Sequence, residues 1–335
     1  MIRLCCKAFL LIIFVIVTHI GLMCLVYPPI ESQHNYLAAI IDKHERLKNT
    51  KSPRIIFIGG SNLAFGLDSK QVEDSLNRNV VNMGLHAGIG LRFMLSEVKE
   101  SIRSGDCLVI IPEYDHFFSL LDGERTLCEL LITYPQAIHY ITSREQILNL
   151  MRYHSQLLRQ ELIQWIKQKI KKNKQLWTKA DFQKADYIIY QRYAFNAYGD
   201  MTNHIHKTYP EPIDLMPILE PPSQPMLNKS VTTLNEFYSM AISKHAQVFF
   251  MFSCIPDVRY FFSKPHIDDL YQFLQKHLYI PIIGSPEDSI FPMTDFYDTR
   301  YHLNQHGRSL HTQKIIECLQ EVKTKIKINT PTLLE

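Results

Sequence analysis

The stretch Arg54-Ile-Ile-Phe-Ile-Gly-Gly-Ser61-Asn62-Leu-Ala-Phe-Gly66 is an apolar run that stops abruptly on two glycines and a serine. Such a run reads as a strand buried on both faces of a parallel sheet. Its carboxyl end then delivers a hydroxyl to the edge where open α/β sheets gather their ligands. The glycines allow a sharp turn and let other groups approach the backbone closely. Ser61 is therefore a candidate nucleophile, provided that a base lies elsewhere in the chain. The alternative is that Ser61 merely caps the helix after the strand.

Beyond this stretch, the chain alternates as a doubly wound fold does. Strand-like runs fall at Arg54–Ile58, Cys107–Ile111, Gln247–Phe252 and Tyr279–Ile283. Helix-like stretches fall at Ser69–Leu76, Leu91–Arg103, Val231–Lys244 and Ile267–His277, and a closing helix runs from about 305 to 327 behind the N-cap candidate Asn304. The expected fold class is a three-layer α/β/α sandwich with a mainly parallel, flavodoxin-like sheet. Residues from about 124 to 230 break the alternation and read as a mainly helical insertion. It holds a long helical stretch, Arg144–Lys174, then a Tyr-rich segment and a Pro-rich passage from Tyr209 to Pro225. The basic run Lys167–Lys174 reads as a solvated helix face or a contact for anionic lipid or polymer.

At 335 residues, with 46% hydrophobic and 21% charged side chains, the chain can bury a large core and is not globally disordered. A net charge of +3 is too small to point to nucleic acid. From Ala8 to Tyr27 there is no acidic or basic residue, and about twenty such residues suffice to cross a bilayer. Arg3 and Lys7 precede this stretch and the next basic residues are Lys43 and Arg46, so the positive-inside bias predicts a cytoplasmic amino terminus and an extracytoplasmic body, in a periplasm or at the cell surface. A small-x-small cleavage pattern is missing near Gly21–Tyr27, which favours an uncleaved anchor over a signal peptide. The expected organisation is an anchor at 1–29, a polar juxtamembrane helix at 30–50 with Leu37, Ile40, Ile41 and Leu47 on one side, an α/β domain at 51–328, and a tail at 329–335. Seven cysteines include no CxxC pair, and Cys107 and Cys254 read as small core hydrophobes. A single disulfide is compatible with an oxidising compartment, without a pairing that the sequence names.

A serine hydroxyl needs a base, and the base needs an orienting group. Near the carboxyl end, Asp298-Thr-Arg-Tyr-His302-Leu-Asn304-Gln-His-Gly307 offers both. His302 would take the Ser61 proton and Asp298 would fix its tautomer, with Asp295 as the fallback orienter. Glu113 and Asp115 stand at the end of a strand, where they bind a polar substrate or a cation, or cap the next helix or turn. Asn196, Asp200 and His204 line the cleft from the insertion or form a structural turn. Trp165, Trp177 and the tyrosines between 187 and 198 stack on sugar rings or pack in a core. The pairs His204/His206 and His302/His306 have spacings that metals use, but no companion ligand at a diagnostic spacing, so no metal is expected.

Gly59-Gly60-Ser61-Asn62, Asn82-Met83-Gly84 with Gly88, and Asp298, His302, Asn304 and Gly307 together resemble the blocks of the SGNH (GDSL-type) hydrolase superfamily. More narrowly, they are similar to its membrane-anchored branch, related to the teichoic-acid D-alanylation protein and to exported polysaccharide O-acyl esterases and transferases. Phe195-Asn-Ala-Tyr-Gly-Asp200 resembles a piece found in that branch. The resemblance covers residues 50–120 and 245–325. It implies acyl transfer or ester hydrolysis through an acyl-serine, without cofactor, on an acylated envelope polysaccharide or glycolipid, with a membrane-bound O-acyltransferase as the partner class. The implied oxyanion donors are Ser61, Gly84 and Asn62. The chain departs from the family twice. Its second long strand ends Ile111-Pro-Glu113-Tyr-Asp115, with no Asn to help hold the oxyanion, and Asp298 and His302 are four apart rather than three. A catalytically inert scaffold or glycan-binding protein of the same fold is the competing expectation.

Overall fold

In a computed structural model of the chain, residues 33–170, 178–185, 187–207 and 223–329 are described, with a few positions between 7 and 21. A 3-10 turn at Tyr36–Ala38 runs into helix α1 (Ala39–Asn49), and β1 spans Arg54–Gly59 with every residue buried. Then come α2 (Ser61–Gly66), α3 (Ser69–Leu76), β2 (Asn79–Asn82), α4 (Leu91–Lys99) and β3 (Cys107–Ile111). The middle of the chain forms α5 (Asp115–Phe118), α6 (Arg125–Thr133), α7 (Arg144–Ile170) and α8 (Lys179–Lys184). The last part forms α9 (Gln224–Ser243), β4 (Gln247–Phe250), β5 (Ile255–Pro256), α10 (Asp257–His277), β6 (Ile290–Phe291) and α11 (Gln305–Asn329).

The main sheet has the order β2-β1-β3-β4, and each neighbouring pair is parallel. β1 is therefore interior, with Gly59 in register with Ile111. Side chains alternate between two cores, as the period of a strand requires. Ile56, Ile58, Leu108, Ile110 and Phe250 pack with Ile40 and Leu47 of α1, Phe93 of α4 and Leu234 of α9. Ile55, Phe57, Val80, Val109 and Ile111 pack on the other side with Val72 of α3 and Ile315, Ile316 and Leu319 of α11. Helices thus cover both faces, and each fully buried Ile, Leu or Phe contributes about 1.5–3 kcal/mol.

Several expectations are corrected. β2 escaped the sequence reading because Asn79-Val-Val-Asn82 holds only two apolar residues. The run Tyr279–Ile283 makes one bridge, Phe250 to Ile282, instead of a strand. Pro281 stands in that run and has no N–H to give to a ladder. β4 stops at Phe250 rather than Phe252, and α4 stops at Lys99 rather than Arg103. α9 and α10 begin earlier than expected, because Pro225 is accepted at the amino-terminal end of α9 and Pro265 inside α10. Leu37, Ile40 and Leu47, placed on a juxtamembrane helix by the sequence, belong to the main core. Among the described residues no helix is long and apolar enough to cross a membrane. The stretch Ala8–Tyr27 falls mostly outside the described residues, as do Trp177, most of the Pro-rich passage and residues 330–335.

Candidate functional site

Ser61 opens α2 directly after β1, at the carboxyl edge of the sheet. Its hydroxyl donates to Glu113 Oε1 (3.1 Å), and the Asn62 N–H donates to the same oxygen (3.1 Å). Gly60 is what permits this approach: a Cβ there would lie 2.5 Å from Glu113 Oε1. Glu113 follows β3, and only 3% of it is exposed. Burial, with the charge of Asp115 second, pushes its carboxyl up from 4.5 to about 7, against the pull of the Asn62 N–H, the Ser61 hydroxyl and Arg300.

The last loop holds an imidazole–carboxylate pair. His302 Nδ1 lies 2.7 Å from Asp298 Oδ1, and the Tyr190 hydroxyl donates to Asp298 Oδ2 while lying 3.3 Å from His302 Nδ1. A proton held on Nδ1 by the carboxylate leaves the lone pair on Nε2. Burial alone would raise Asp298, but the bonds from His302 and Tyr190 outweigh it and hold the carboxyl below its ordinary value. Burial, then the Asp298 contact, pushes the Tyr190 phenol upward, so it remains a donor. The fallback orienter is otherwise engaged: Asp295 pairs with His306 at 2.7 Å.

One ring joins the two halves. Phe65 stacks on His302 with centroids 3.8 Å apart and planes within 4°. Phe65 stands four residues after Ser61 on α2, and residues so spaced lie about 5–6 Å apart between Cβ atoms. The imidazole thus lies against a ring that stands one helical turn beyond the serine. Among the hydrogen bonds of the described residues, the Ser61 hydroxyl goes to Glu113 and not to His302.

No protein-family model and no curated protein matches the chain.

The oxyanion set is narrower than the sequence suggests. Gly84 N–H donates to Asn82 Oδ1 (2.8 Å), and Asn62 Nδ2 donates to the Ile111 carbonyl (2.9 Å) while Asn62 Oδ1 accepts from Gly60 N–H (2.9 Å). Gly84 N–H and one N–H of the Asn62 amide thus hold the turns around Ser61. The Ser61 N–H remains. His86 stands beside this turn, since its neighbour Ala87 would meet a Cβ on Gly60 at 3.0 Å. Its Nδ1 accepts from Gly88 N–H (2.9 Å), which places the ring proton on Nε2. Burial, followed by the nearness of His302 and His116, lowers His86 to about 4, so it is neutral at pH 7.

The other candidates have structural partners. Asp115 is not a free carboxylate: it takes Arg300 Nη2 (2.6 Å) and the Tyr301 hydroxyl (2.8 Å), tying the last loop to the end of β3. Asp200 is fully buried and accepts from Ser69 N–H (2.9 Å), Ser69 Oγ (2.5 Å) and Asn82 Nδ2 (2.9 Å). Asn196 Oδ1 accepts from the N–H groups of Tyr198, Gly199 and Asp200, forming a local turn. His204 bonds to the Leu303 carbonyl through Nε2 (3.0 Å) and packs on Phe65. These three therefore fasten the 195–204 segment to the body, and Asn196 also stands in the lining of a cleft. Among the described residues no group of three His, Cys, Asp or Glu is arranged to hold a metal, and Cys107, Cys128, Cys254 and Cys318 are all free thiols.

A cleft of about 580 Å³ opens between α1 and the 179–199 region, with Lys43, Arg46, Lys179 and Arg192 in its lining. Most of that charge is already used. Lys43 donates to the carbonyls of Asn82 (3.0 Å) and Gly199 (2.5 Å), Arg46 to that of Val80, and Arg192 to Asp42 (2.6 Å).

Sequence reasoning missed Tyr190, Phe65 and Arg300. Phe65 was within reach of helical spacing, since i and i+4 share a face. Tyr190 was read only as one of the tyrosines that stack on sugar rings or pack in a core, and its bond to Asp298 had no sequence signal because it comes from a distant part of the chain.

Proposed function

We propose that the chain is an SGNH-type serine esterase or O-acyltransferase, anchored by its amino-terminal apolar stretch and working outside the cytoplasm. The observation that carries this reading is the Asp298–His302 pair stacked on Phe65, one helical turn from Ser61 at the end of an interior parallel strand. In the reaction, Ser61 Oγ attacks an ester carbonyl and its proton passes to His302 Nε2. Asp298 keeps the imidazole in the accepting tautomer and stabilises the imidazolium. The acyl-serine is then discharged to water or to a sugar hydroxyl. The substrate class, by the resemblance of the three blocks, is an O-acylated envelope polysaccharide or a lipid-linked glycan, with a membrane-bound O-acyltransferase as partner. Anchoring raises the effective concentration of such surface-bound acceptors.

One observation favours a second reading, an inert scaffold or glycan-binding protein of an acylation complex. The Ser61 hydroxyl is engaged by Glu113, and two of the three expected oxyanion residues already donate within the fold. A fluorophosphonate probe separates the two. The enzyme reading expects covalent labelling of Ser61, abolished in Ser61→Ala and strongly reduced in His302→Ala. A folded protein that never labels, together with full biological function of Ser61→Ala, would establish the scaffold.

A further inference from the structure

We infer that Glu113 acts as a neutral carboxylic acid that donates a hydrogen bond to the oxyanion formed at Ser61, filling the donor place left by the absence of an amide at the end of β3. The inference deepens the serine-enzyme reading and rests on it. Glu113 Oε1 is 3.1 Å from Ser61 Oγ and 3.1 Å from the Asn62 nitrogen, which leaves Oε2, without a partner among the described residues, to carry a proton. Gly60 brings the carboxyl against the turn that presents the nucleophile. Gly84 N–H and one of the two Asn62 amide N–H groups are occupied, so a companion donor beside the Ser61 N–H would strengthen the site.

The charge state decides what Glu113 does. As a carboxylate it would stand beside a developing oxyanion and oppose it. As an acid it would stabilise the same charge, as protonated carboxyls do in apolar sites of other enzymes. Burial and Asp115 favour the acid up to about pH 7. The charged neighbours are Asp115 and Arg300, which pair with each other at 2.6 Å. The other titratable groups around it are Tyr36 from the turn before α1, Tyr301 from the last loop, Cys254 after β4, His116, whose ring lies 3.1 Å from the Glu113 carbonyl, His86 beside the Gly60 turn, and His302, the base of the proposed reaction. Burial raises the two phenols and the thiol and lowers His86 and His116 to about 4, so these five stay neutral at pH 7. In the chemical step, the bond from Ser61 Oγ to the acyl carbon forms as the hydroxyl proton moves to His302 Nε2 and the carbonyl electron pair moves onto oxygen. That oxygen accepts from the Ser61 N–H and from the Glu113 O–H, whose proton stays on Glu113. Collapse returns the pair and expels the alcohol, which takes the proton from His302.

The test is the rate of Ser61 labelling by a fluorophosphonate in the full-length, detergent-purified chain, followed from acid to alkaline pH. The wild-type rate is expected to fall about tenfold per pH step once the medium passes about 7. Glu113→Gln, which keeps an N–H donor, should label at a comparable maximum without that fall. Glu113→Ala should label about 10²–10³ times more slowly at every pH. A wild-type rate that climbs steadily into alkali overturns the inference without recourse to any variant. So does the same alkaline fall in Glu113→Gln, and in both cases the serine enzyme itself survives. Folded protein that does not label Ser61 at any pH defeats the enzyme reading, and the role of Glu113 goes with it.

Discussion

The hydroxyl of Ser61 has the carboxyl of Glu113 as its hydrogen-bond partner, so the charge state of that carboxyl governs what the hydroxyl meets. Glu113 also carries a cost in folding. Its carboxyl is raised from 4.5 to about 7, so the unfolded chain releases this proton first as pH rises. The associated stability is fully present below about 4.5 and is lost as pH climbs through 7, an effect of roughly 3 kcal/mol. Denaturant melts should therefore show Glu113→Gln gaining on the wild type between acid and neutral pH, with equal stabilities at the acid end. Parallel curves across that range would remove the buried-carboxyl account. At the same scale, Asp298→Asn should keep the fold and slow Ser61 labelling by about 10⁴, because an amide can support the wrong imidazole tautomer. A labelling rate within a few-fold of the wild type would show that another group orients His302.

At the scale of elements, the last loop is held by charge and the sheet edge by a buried ion pair. Arg300 and the Tyr301 hydroxyl both reach Asp115, so the loop bearing Asp298 and His302 is clamped to the segment after β3. Arg300→Ala should lower the rate of Ser61 labelling while costing about 1 kcal/mol or less in stability, since the pair is partly exposed. Comparison of the labelling rate with the thermal midpoint checks it; equal fractional losses in both would argue for a purely structural clamp. Arg54 and Asp106 are a different case, fully buried and 3.1 Å apart at the start of β1 and β3. Ser52 Oγ also donates to Asp106, at 2.8 Å. Asp106→Ala strands the guanidinium in the core and should cost about 3–5 kcal/mol, read from chemical denaturation. The insertion obeys the same logic of local signals. Ser143 Oγ accepts from Gln146 N–H (3.0 Å) and Gln146 Oε1 accepts from Ser143 N–H (3.1 Å), a capping box that starts α7.

At the scale of the whole molecule, the legible parts were those written in short-range periodicity. β1 and β3 are continuous apolar runs, and α3 spans the Ser69–Leu76 that its pattern predicts. The pairing of Asp298 with His302 was legible as well, because both residues lie in one loop. The unread parts depend on contacts between distant segments. Asn196 and Asp200 carry the chemistry of a binding site in a one-dimensional reading, and Asn82 belongs there to a glycine-bearing block. In three dimensions they satisfy one another and the backbone, with Asn82 Nδ2 on Asp200 Oδ1 at 2.9 Å. A buried polar group is spent as soon as its partners arrive, and sequence does not show that arrival. The amino-terminal anchor is a claim at this same scale. Removal of residues 1–29 should move the protein from the membrane to the soluble fraction with Ser61 still reactive, as fractionation and labelling would report. Retention of the shortened chain in membranes would point to a second attachment.

Tyr190 is a strand-free residue of the middle region whose hydroxyl completes the coordination of Asp298. Ser61, Tyr190 and His302 are consequently contributed by three separate thirds of the polypeptide. A newly made chain, or one nicked in its midsection, would present an α/β body lacking the final tether on its acid. On the serine-enzyme reading, reactivity of Ser61 would then report that the middle region has docked.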